Sequence, residues 1–310
     1  MYKRQIGAYQ SKNSPYYEWY YFKHYPDEYA SWWGSTVVPT VNKSARGFCD
    51  LILGDGGVID KWTKLGVKGW RLDVVDELPI DFTTKLCRRI KQEGEDVLIV
   101  GEVWEDASTK IAYSQWRPYF MGEQLDSVMN YPFKEAIVAY ALTGDKDEFV
   151  ATVTHILENY PKESLDVLMN LIDSHDTARA LTTLSGVKMP RKKADRAAFC
   201  LDDTQYALAK KRLKLASTLQ YVLPGVPCVF YGDEAGVQGY EDPLNRVTYP
   251  WGREDEELLS HYRALGAFRE KYADYLTGET HFVNDNDALI IERECEKGKM
   301  RLVCNNLTAC

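Results

Sequence analysis

The chain has 310 residues, of which 45% are hydrophobic and 27% are charged, and its formal net charge is -8. This size and composition are typical of a globular protein with one large domain or two ordinary ones. The negative charge argues against a nucleic-acid partner or an anionic-membrane partner, and no stretch is long and apolar enough to span a bilayer.

Cysteine usage bears on the cellular compartment. The 7 cysteines are odd in number and show no paired short spacing. This pattern argues against a disulfide framework or a zinc site and favours a reducing compartment, so we predict a cytoplasmic location. We expect Cys87, Cys200 and Cys228 to be small buried side chains in apolar helices or strands.

The first 49 residues show no clean periodicity. Aromatic and proline-punctuated stretches cover residues 14–22 and 29–34, where Trp32 and Trp33 are adjacent. We predict a loop-rich segment that packs as a small lobe, lines a groove, or does both.

Apolar runs then alternate with amphipathic stretches. Strands are predicted at residues 67–74, 97–104, 124–129, 166–172 and 226–234, and helices at 58–65, 82–93, 132–142, 147–160, 204–223 and 254–272. This alternation indicates an α/β fold with a parallel sheet or a (β/α) barrel. Short alternating strands at 281–283, 288–293 and 300–304 predict the start of a separate antiparallel β domain.

A charged pair interrupts the strand predicted at residues 67–74. Arg71 and Asp73 lie two positions apart and therefore point to the same face of the strand. Burying such a pair is costly. The pair is therefore either a structural ion pair that fixes the sheet register or part of a functional site.

Three carboxylates follow predicted strands at their C-terminal ends, namely Asp73, Glu102 and Asp176. In a (β/α) barrel these ends meet at the mouth where active sites lie. Divalent-metal binding and glycoside hydrolysis are the main uses of such a set. The chain has only 5 histidines and no His-x-His spacing, which disfavours a metal hydrolase.

Two structural alternatives remain for these carboxylates. Asp176 could instead be the N-cap of a helix over residues 177–184, and Glu102 could pair with a neighbouring lysine.

The predicted strand ends lie in three sequence blocks, namely Gly69-Trp70-Arg71-Leu72-Asp73, Gly101-Glu102-Val103-Trp104 and Ser174-His175-Asp176-Thr177. These blocks resemble, in order and spacing, those of the α-amylase family of glycoside hydrolases. Residues 7–11, 31–34 and 225–246 resemble more narrowly the neopullulanase, cyclomaltodextrinase and maltogenic amylase branch. The resemblance covers nearly the whole chain.

This resemblance implies three catalytic roles. Asp73 would be the nucleophile, Glu102 the general acid/base, and Asp176 the carboxylate that stabilises the transition state. Arg71 would favour the ionised form of Asp73. The reaction implied is a retaining double displacement.

The resemblance also implies residues that bind substrate. His175 would hydrogen-bond the sugar at the scissile bond, while Asp242 and Arg246 would bind the next sugar on the non-reducing side. No metal ligand and no cofactor are predicted, although the family resemblance allows calcium.

The implied fold is a (β/α)8 TIM barrel of which about the five C-terminal strands are present. We expect residues 1–48 to be a partial loop-rich insertion, 49–273 the C-terminal part of the barrel, and 274–310 part of a C-terminal β-sandwich domain. The family's Asp-x-x-x-Asn-His block, which ends its third barrel strand, has no counterpart here.

The missing block predicts an N-terminally truncated fragment. Residues 1–5 look like translated sequencing-library adapter. An open half-barrel would expose apolar strand edges, so we expect the chain alone to be poorly folded or inactive. The full-length protein is expected to cleave α-1,4 and optionally α-1,6 bonds in cyclodextrins, pullulan or maltooligosaccharides, and to form a homodimer. The alternative is a catalytically silent carbohydrate-binding or vestigial protein on the same scaffold.

Overall fold

The computed structural model describes residues 7–305. The residues predicted to be adapter, 1–5, and the last five residues of the predicted β domain, 306–310, lie outside that range. No described helix is both long and apolar enough to cross a membrane. The chain forms two compact units, one running to Glu102 with Ile111–Leu125 added, and one comprising Val103–Lys110 and everything from Asp126 onward.

The first unit combines short strands with α-helices. Its elements in chain order are β1 (Phe22–His24), β2 (Glu28–Tyr29), α1 (Arg46–Leu53), α2 (Val58–Lys64), β3 (Gly69–Leu72), α3 (Ile80–Lys91), β4 (Leu98–Gly101), β5 (Ile111–Ala112) and β6 (Gln115–Trp116). Helix α3 buries Phe82, Leu86 and Ile90 on one face, as its amphipathic pattern predicts.

The register of β3 and β4 decides where the first unit places its charged residues. The two strands are parallel, and Leu72 is opposite Gly101. The backbone N–H of Glu102 donates to the carbonyl of Leu72 at 3.0 Å. Asp73 and Glu102 therefore leave neighbouring strands at the same end, as expected for strands of a parallel sheet.

The loop-rich segment at the start of the described chain has a small core of its own. Ala8, Trp19, Tyr20 and Ala45 are buried together, with partly buried aromatic and aliphatic side chains around them. Trp33, by contrast, is 83% exposed. The prediction of a loop-rich lobe with its own packing is confirmed for this aromatic cluster.

The second unit is mainly helical and ends in a β-hairpin sheet. Its elements in chain order are β7 (Ser127–Val128), α4 (Tyr131–Thr143), α5 (Lys146–Asn159), α6 (Lys162–Asp166), β8 (Met169–Asn170), α7 (Ala180–Leu184), α8 (Lys193–Ala197), α9 (Asp203–Val222), β9 (Val226–Pro227), α10 (Glu256–Lys271), α11 (Ala273–Leu276), β10 (Glu279–Val283), β11 (Ala288–Cys295) and β12 (Gly298–Asn305).

Strand pairing in the second unit follows the predicted types. Strands β8 and β9 are parallel, with Met169 opposite Val226. Strands β10, β11 and β12 form an antiparallel sheet in that order. The helix-free tail was therefore predicted correctly as antiparallel strands.

Two predicted strands are much shorter than their apolar runs. Of residues 166–172 only Met169–Asn170 are extended, because Asp166 still belongs to α6. Of residues 226–234 only Val226–Pro227 pair, and a 3-10 turn forms at Asp233–Ala235 after Gly232 in the left-handed region (φ 94°). Residues 226–231 are exposed or partly buried. An apolar run therefore fixes neither the length of a strand nor the burial of each residue in it.

The described cysteines confirm one expectation and contradict another. All six described cysteines are free thiols, so none of them forms a disulfide. Cys87 is buried in α3 and Cys228 is partly buried, but Cys200 is exposed in the loop before α9. The prediction of a buried Cys200 was wrong, because neighbouring apolar residues do not fix which side chains of a loop face inward.

Candidate active site

The first unit brings two of the predicted catalytic carboxylates onto one arginine. One terminal nitrogen of Arg71 contacts the carboxylate of Asp73. The other, Nη2, lies 3.1 Å from Oε2 of Glu102. The guanidinium thus forms one ion pair through each terminal nitrogen and lies between the two carboxylates.

The two carboxylates differ in their contact with solvent. The side chain of Glu102 is 5% exposed, whereas that of Asp73 is 72% exposed. Glu102 is therefore fixed inside the first unit, while Asp73 is accessible from its surface. Glu102 forms an ion pair with Arg71, and the alternative of a neighbouring lysine stays a prediction.

The backbone after Asp73 adopts an unusual conformation, and its N–H group binds the carboxylate of Glu102. Val74 lies in the left-handed region (φ 44°, ψ 51°), which is costly for a β-branched residue. This conformation allows its N–H to donate to Oε2 of Glu102 at 2.8 Å. Glu102 is therefore oriented by the strand that carries Asp73.

Glycine is required before Glu102 for reasons of space. A Cβ at Gly101 would lie 2.5 Å from Cδ1 of Leu125 and 3.0 Å from Cγ1 of Val75. Those side chains pack directly against the end of β4, and a larger residue would displace the strand end that carries Glu102.

The second unit gathers the other four predicted site residues. Nε2 of His175 lies 3.1 Å from Oδ2 of Asp176, and Nη2 of Arg246 lies 3.4 Å from Oδ1 of the same carboxylate. Nε of Arg246 is also 2.9 Å from Oδ1 of Asp242. These four side chains form one charged cluster, although Asp242 and Arg246 lie 66 or more positions after Asp176 in the sequence. The side chain of Asp176 is 34% exposed.

Asp176 does not cap a helix, so that alternative was wrong. Helix α7 begins at Ala180, not at residue 177. The carboxylate that accepts from the N–H of Ala180, at 2.7 Å, belongs to Asp173. Asp173 therefore accepts the bond from the start of the helix, and the carboxylate of Asp176 contacts His175 and Arg246.

Sequence reasoning missed the residues that hold the Asp176 loop in place. The fully buried Asn245 donates from its side chain to the carbonyls of His175 at 2.8 Å and Thr177 at 2.7 Å. Arg179, also fully buried, donates from Nε to the carbonyl of Asn245 at 2.8 Å. No local sequence pattern predicts these bonds, because they join segments more than 60 residues apart.

The structure offers no metal cluster among the residues it describes. Within residues 7–305, no group of three or more His, Cys, Asp or Glu side chains is arranged to hold a metal ion. The predicted absence of a metal and of a cofactor stays a prediction.

Comparison with known proteins identifies the family. The model of the α-amylase catalytic domain matches residues 53–274, which is more than half of the chain. The chain belongs to the α-amylase family of glycoside hydrolases. The recognition made from the three sequence blocks is thereby confirmed.

The chain is similar to proteins named amylopullulanase and cyclomaltodextrinase. The chain is 33% identical over 330 residues to an amylopullulanase of Thermoanaerobacter thermohydrosulfuricus, covering 95% of this chain and 21% of the relative. It is 28% identical over 310 residues to a cyclomaltodextrinase of a Bacillus species, covering 95% of this chain and 50% of the relative. The chain thus spans between a fifth and a half of the length of these relatives.

A solved α-amylase-family structure has the same fold. The type III pullulan hydrolase of Thermococcus kodakarensis superimposes with a TM-score of 0.83 at 27% identity, covering 98% of this chain and 51% of that one. The predicted fold class, α/β with a TIM barrel, is confirmed by this family membership and likeness. The division into residues 1–48, 49–273 and 274–310 stays a prediction.

Proposed function

We propose that the protein carrying this chain is a retaining α-glucan hydrolase that cleaves α-1,4-glucosidic bonds, and optionally α-1,6 bonds, by double displacement. The observation that carries the proposal is the placement of Asp73 and Glu102 on the two sides of the Arg71 guanidinium. Retaining glycosidases need two carboxyl groups about 5–5.5 Å apart, and inverting ones need about 6.5–9.5 Å. Two carboxylates that contact one guanidinium fit the shorter separation better.

Asp73 and Glu102 take complementary roles in this proposal. Asp73, exposed at the strand end, attacks the anomeric carbon and forms the covalent glycosyl-enzyme intermediate. Glu102 donates its proton to the departing glycosidic oxygen and then takes a proton from the water that releases the sugar. The contacts of Glu102 with Arg71 and with the Val74 N–H fix the position of its carboxyl group beside Asp73.

The cluster in the second unit supplies substrate binding and transition-state stabilisation. We assign Asp176 to the stabilisation of the positively charged transition state and His175 to a hydrogen bond with the sugar at the scissile bond. Asp242 and Arg246 bind the neighbouring sugar. Their support is the chain of ion pairs that joins Arg246 to both Asp176 and Asp242.

The substrate class follows from the names of the relatives. An amylopullulanase, a cyclomaltodextrinase and a pullulan hydrolase are among the similar proteins. We therefore propose cyclodextrins, pullulan and maltooligosaccharides as substrates. Dimerisation of the full-length protein, a cytoplasmic location and the absence of a cofactor, with calcium still allowed, belong to the same proposal.

The experiment compares the 310-residue chain with the protein expressed from its complete reading frame. Both are incubated with β-cyclodextrin, pullulan and maltohexaose, and the products and their anomeric configuration are followed by NMR. We expect α-configured products from the complete protein, and losses on the order of 10⁴-fold or more in the Asp73→Asn and Glu102→Gln variants. Hydrolysis that survives Asp73→Asn, or a β-configured product, contradicts the proposal.

The catalytically silent alternative finds no support in the relatives described above, which are enzymes by name. It predicts that the folded complete protein binds maltooligosaccharide without releasing any product. The NMR experiment separates the two directly, because bound but uncleaved sugar is visible in the same spectra.

A further inference from the structure

An exposed tryptophan that the proposed mechanism does not use is bonded to the turn that follows Asp73. Trp33 is 83% exposed, although tryptophan is well buried in most proteins. Its indole Nε1–H donates to Oε1 of Glu77 at 2.8 Å, across 44 positions of sequence within the first unit. The ring is therefore held at the surface by a specific hydrogen bond rather than by burial.

The backbone also holds Trp33 in place, in an unfavourable conformation. Trp33 has φ 50° and ψ 31°, which is the left-handed region and is costly for a bulky residue. The N–H of Trp32 donates to the carbonyl of Val38 at 2.8 Å, and the N–H of Ser35 donates to the carbonyl of Trp32 at 2.9 Å, so the loop is closed on both sides of Trp33. Trp32, Val37 and Val38 of this loop are exposed as well. Backbone strain clusters at ligand clamps and exposed apolar patches mark binding surfaces, so these features favour a binding role over a packing role.

The turn that carries Glu77 is firmly anchored. This 3-10 turn begins two residues after Asp73. The buried guanidinium of Arg117 donates to the carbonyl of Asp76, and the buried Tyr119 donates from its hydroxyl to the carboxylate of Asp76. Because the turn is fixed from the inside, Glu77 offers the indole an acceptor at a defined position.

The bond to Glu77 also places Trp33 near the candidate nucleophile. Glu77 is four residues after Asp73, and four residues span at most about 14 Å when fully extended. The intervening 3-10 turn is shorter, with a rise of about 2 Å per residue. The side chain of Asp73 is 72% exposed, so one bound chain of sugars can contact both Asp73 and Trp33.

The exposed indole and its surroundings match the chemistry of a neutral sugar. A sugar ring has apolar C–H faces and a rim of hydroxyl groups, and tryptophan offers a large, rigid apolar face that loses little conformational entropy on binding. The nearby carboxylates of Asp73 and Glu77 repel anionic ligands and accept hydrogen bonds from hydroxyl groups. A neutral glucan therefore fits this surface better than a nucleic acid does.

We propose that Trp33 is a sugar-binding residue, on which a glucose ring of the α-glucan stacks beyond the scissile bond, and that Glu77 is a positioning residue that orients the indole. The inference rests on the proposed function for the identity of the ligand. Trp33 contacts the sugar equally before and during the reaction, so it contributes to KM rather than to kcat.

The first experiment observes the Trp33 indole directly by NMR. The complete protein carries isotope-labelled tryptophan and the Asp73→Asn substitution, so that no sugar is consumed. The Nε1–H signal that is missing in Trp33→Phe belongs to Trp33. We expect this signal to shift when maltohexaose is added. In the free protein it should move in Glu77→Leu, which removes the acceptor, and much less in Glu77→Gln, which keeps an acceptor oxygen.

The second experiment measures Kd for maltohexaose by calorimetry in the Asp73→Asn background, and KM and kcat with Asp73 intact. Trp33→Ala is expected to raise Kd and KM about tenfold and to leave kcat within about threefold. Trp33→Phe keeps an aromatic face and should lose less. Glu77→Leu should raise KM more than Glu77→Gln does. Trp62→Ala, at an exposed position of α2 in the same unit, is the matched control and should change neither Kd nor KM.

Three outcomes contradict the inference. The first is a Trp33 signal that does not respond to maltohexaose, as would happen if another part of the complete protein covered this ring. The second is an unchanged Kd and KM in Trp33→Ala, even where the protein hydrolyses glucans as proposed. The third is an equal loss in Glu77→Gln and Glu77→Leu, which contradicts the positioning role. A complete protein that binds maltohexaose through Trp33 but releases no product contradicts the proposed function and leaves the sugar-binding role of Trp33 in place.

Discussion

The backbone N–H of Val74 donates a 2.8 Å hydrogen bond to the carboxylate of Glu102. Val74 also adopts a left-handed conformation (φ 44°), which costs about 1–3 kcal/mol for a non-glycine residue. Val74 directly follows Asp73, and its N–H binds Glu102. The two candidate catalytic carboxylates are therefore linked through the backbone as well as through Arg71.

Val74 allows a test of that backbone bond. Proline has no N–H and fixes φ near -65°, so Val74→Pro is expected to release Glu102 and lower kcat on the order of 10²-fold. Val74→Ala keeps the N–H and is the matched control, expected to stay within a few-fold of wild type. The measurement is kcat and KM on β-cyclodextrin with circular dichroism to confirm folding. Equal activity in the two variants contradicts the role of this bond.

The close packing around Gly101 can be tested by substituting this glycine. Gly101→Ala places a Cβ against Leu125 and Val75 at 2.5 and 3.0 Å and is expected to destabilise the protein by about 1–3 kcal/mol. Leu125→Ala in the same chain makes room, so the double variant should cost less than the sum of the single ones. Gly266→Ala in α10 is the control, since nothing lies within 4 Å there and alanine favours a helix.

Denaturant unfolding measures this packing effect. Additive losses from Gly101→Ala and Leu125→Ala would show that the two side chains do not compete for the same space. A stabilising Gly101→Ala would contradict the close packing at the end of β4 outright.

The side chain of Asn245 allows a test of the hydrogen bonds that hold the loop of Asp176. Asn245→Leu has similar volume but leaves the carbonyls of His175 and Thr177 without their donor, so we expect a loss of about 2 kcal/mol or more in the free energy of unfolding. KM should rise about tenfold because Arg246 and Asp176 lose their fixed positions. Asn284→Leu, at an exposed loop position, is the control and should change neither quantity. A normal KM in Asn245→Leu contradicts the prediction.

Asp255 is expected to make the stability of the fold depend on pH in the acid range. It is the N-cap of α10, and burial opposes its ionisation, but hydrogen bonds from the N–H of Leu258, from Lys210 and from Tyr206 outweigh burial and lower its pKa. A lowered folded pKa means that this carboxylate stabilises the fold above about pH 4, and that the contribution is lost as the pH falls through the folded value.

Asp255→Ala is therefore expected to cost about 1–2 kcal/mol at pH 7 and less at pH 3. Asp147→Ala is the control, since Asp147 is exposed in the first turn of α5 and does not cap that helix. Urea unfolding at both pH values measures the difference. An Asp255→Ala loss that is equal at pH 7 and pH 3 contradicts the linkage.

The amino-acid sequence determined the family, the alternation of strands and helices, and the positions of Asp73 and Glu102 directly after β3 and β4. Long amphipathic helices such as α3, α5 and α10 were predicted within a few residues, because a repeating apolar face records which side is buried. The pairing of Arg71 with Asp73 also followed from the sequence, because residues two apart on a strand share a face.

Tertiary structure alone decided which groups hold the site in place. Asp173 rather than Asp176 caps α7, and Arg179, Asn245 and Asp233 meet although they are 54–66 residues apart. A left-handed Val74 likewise has no signature in a sequence whose neighbouring residues favour a strand. Local patterns report the face that a residue presents, whereas long-range hydrogen bonds depend on which distant segments the fold brings together.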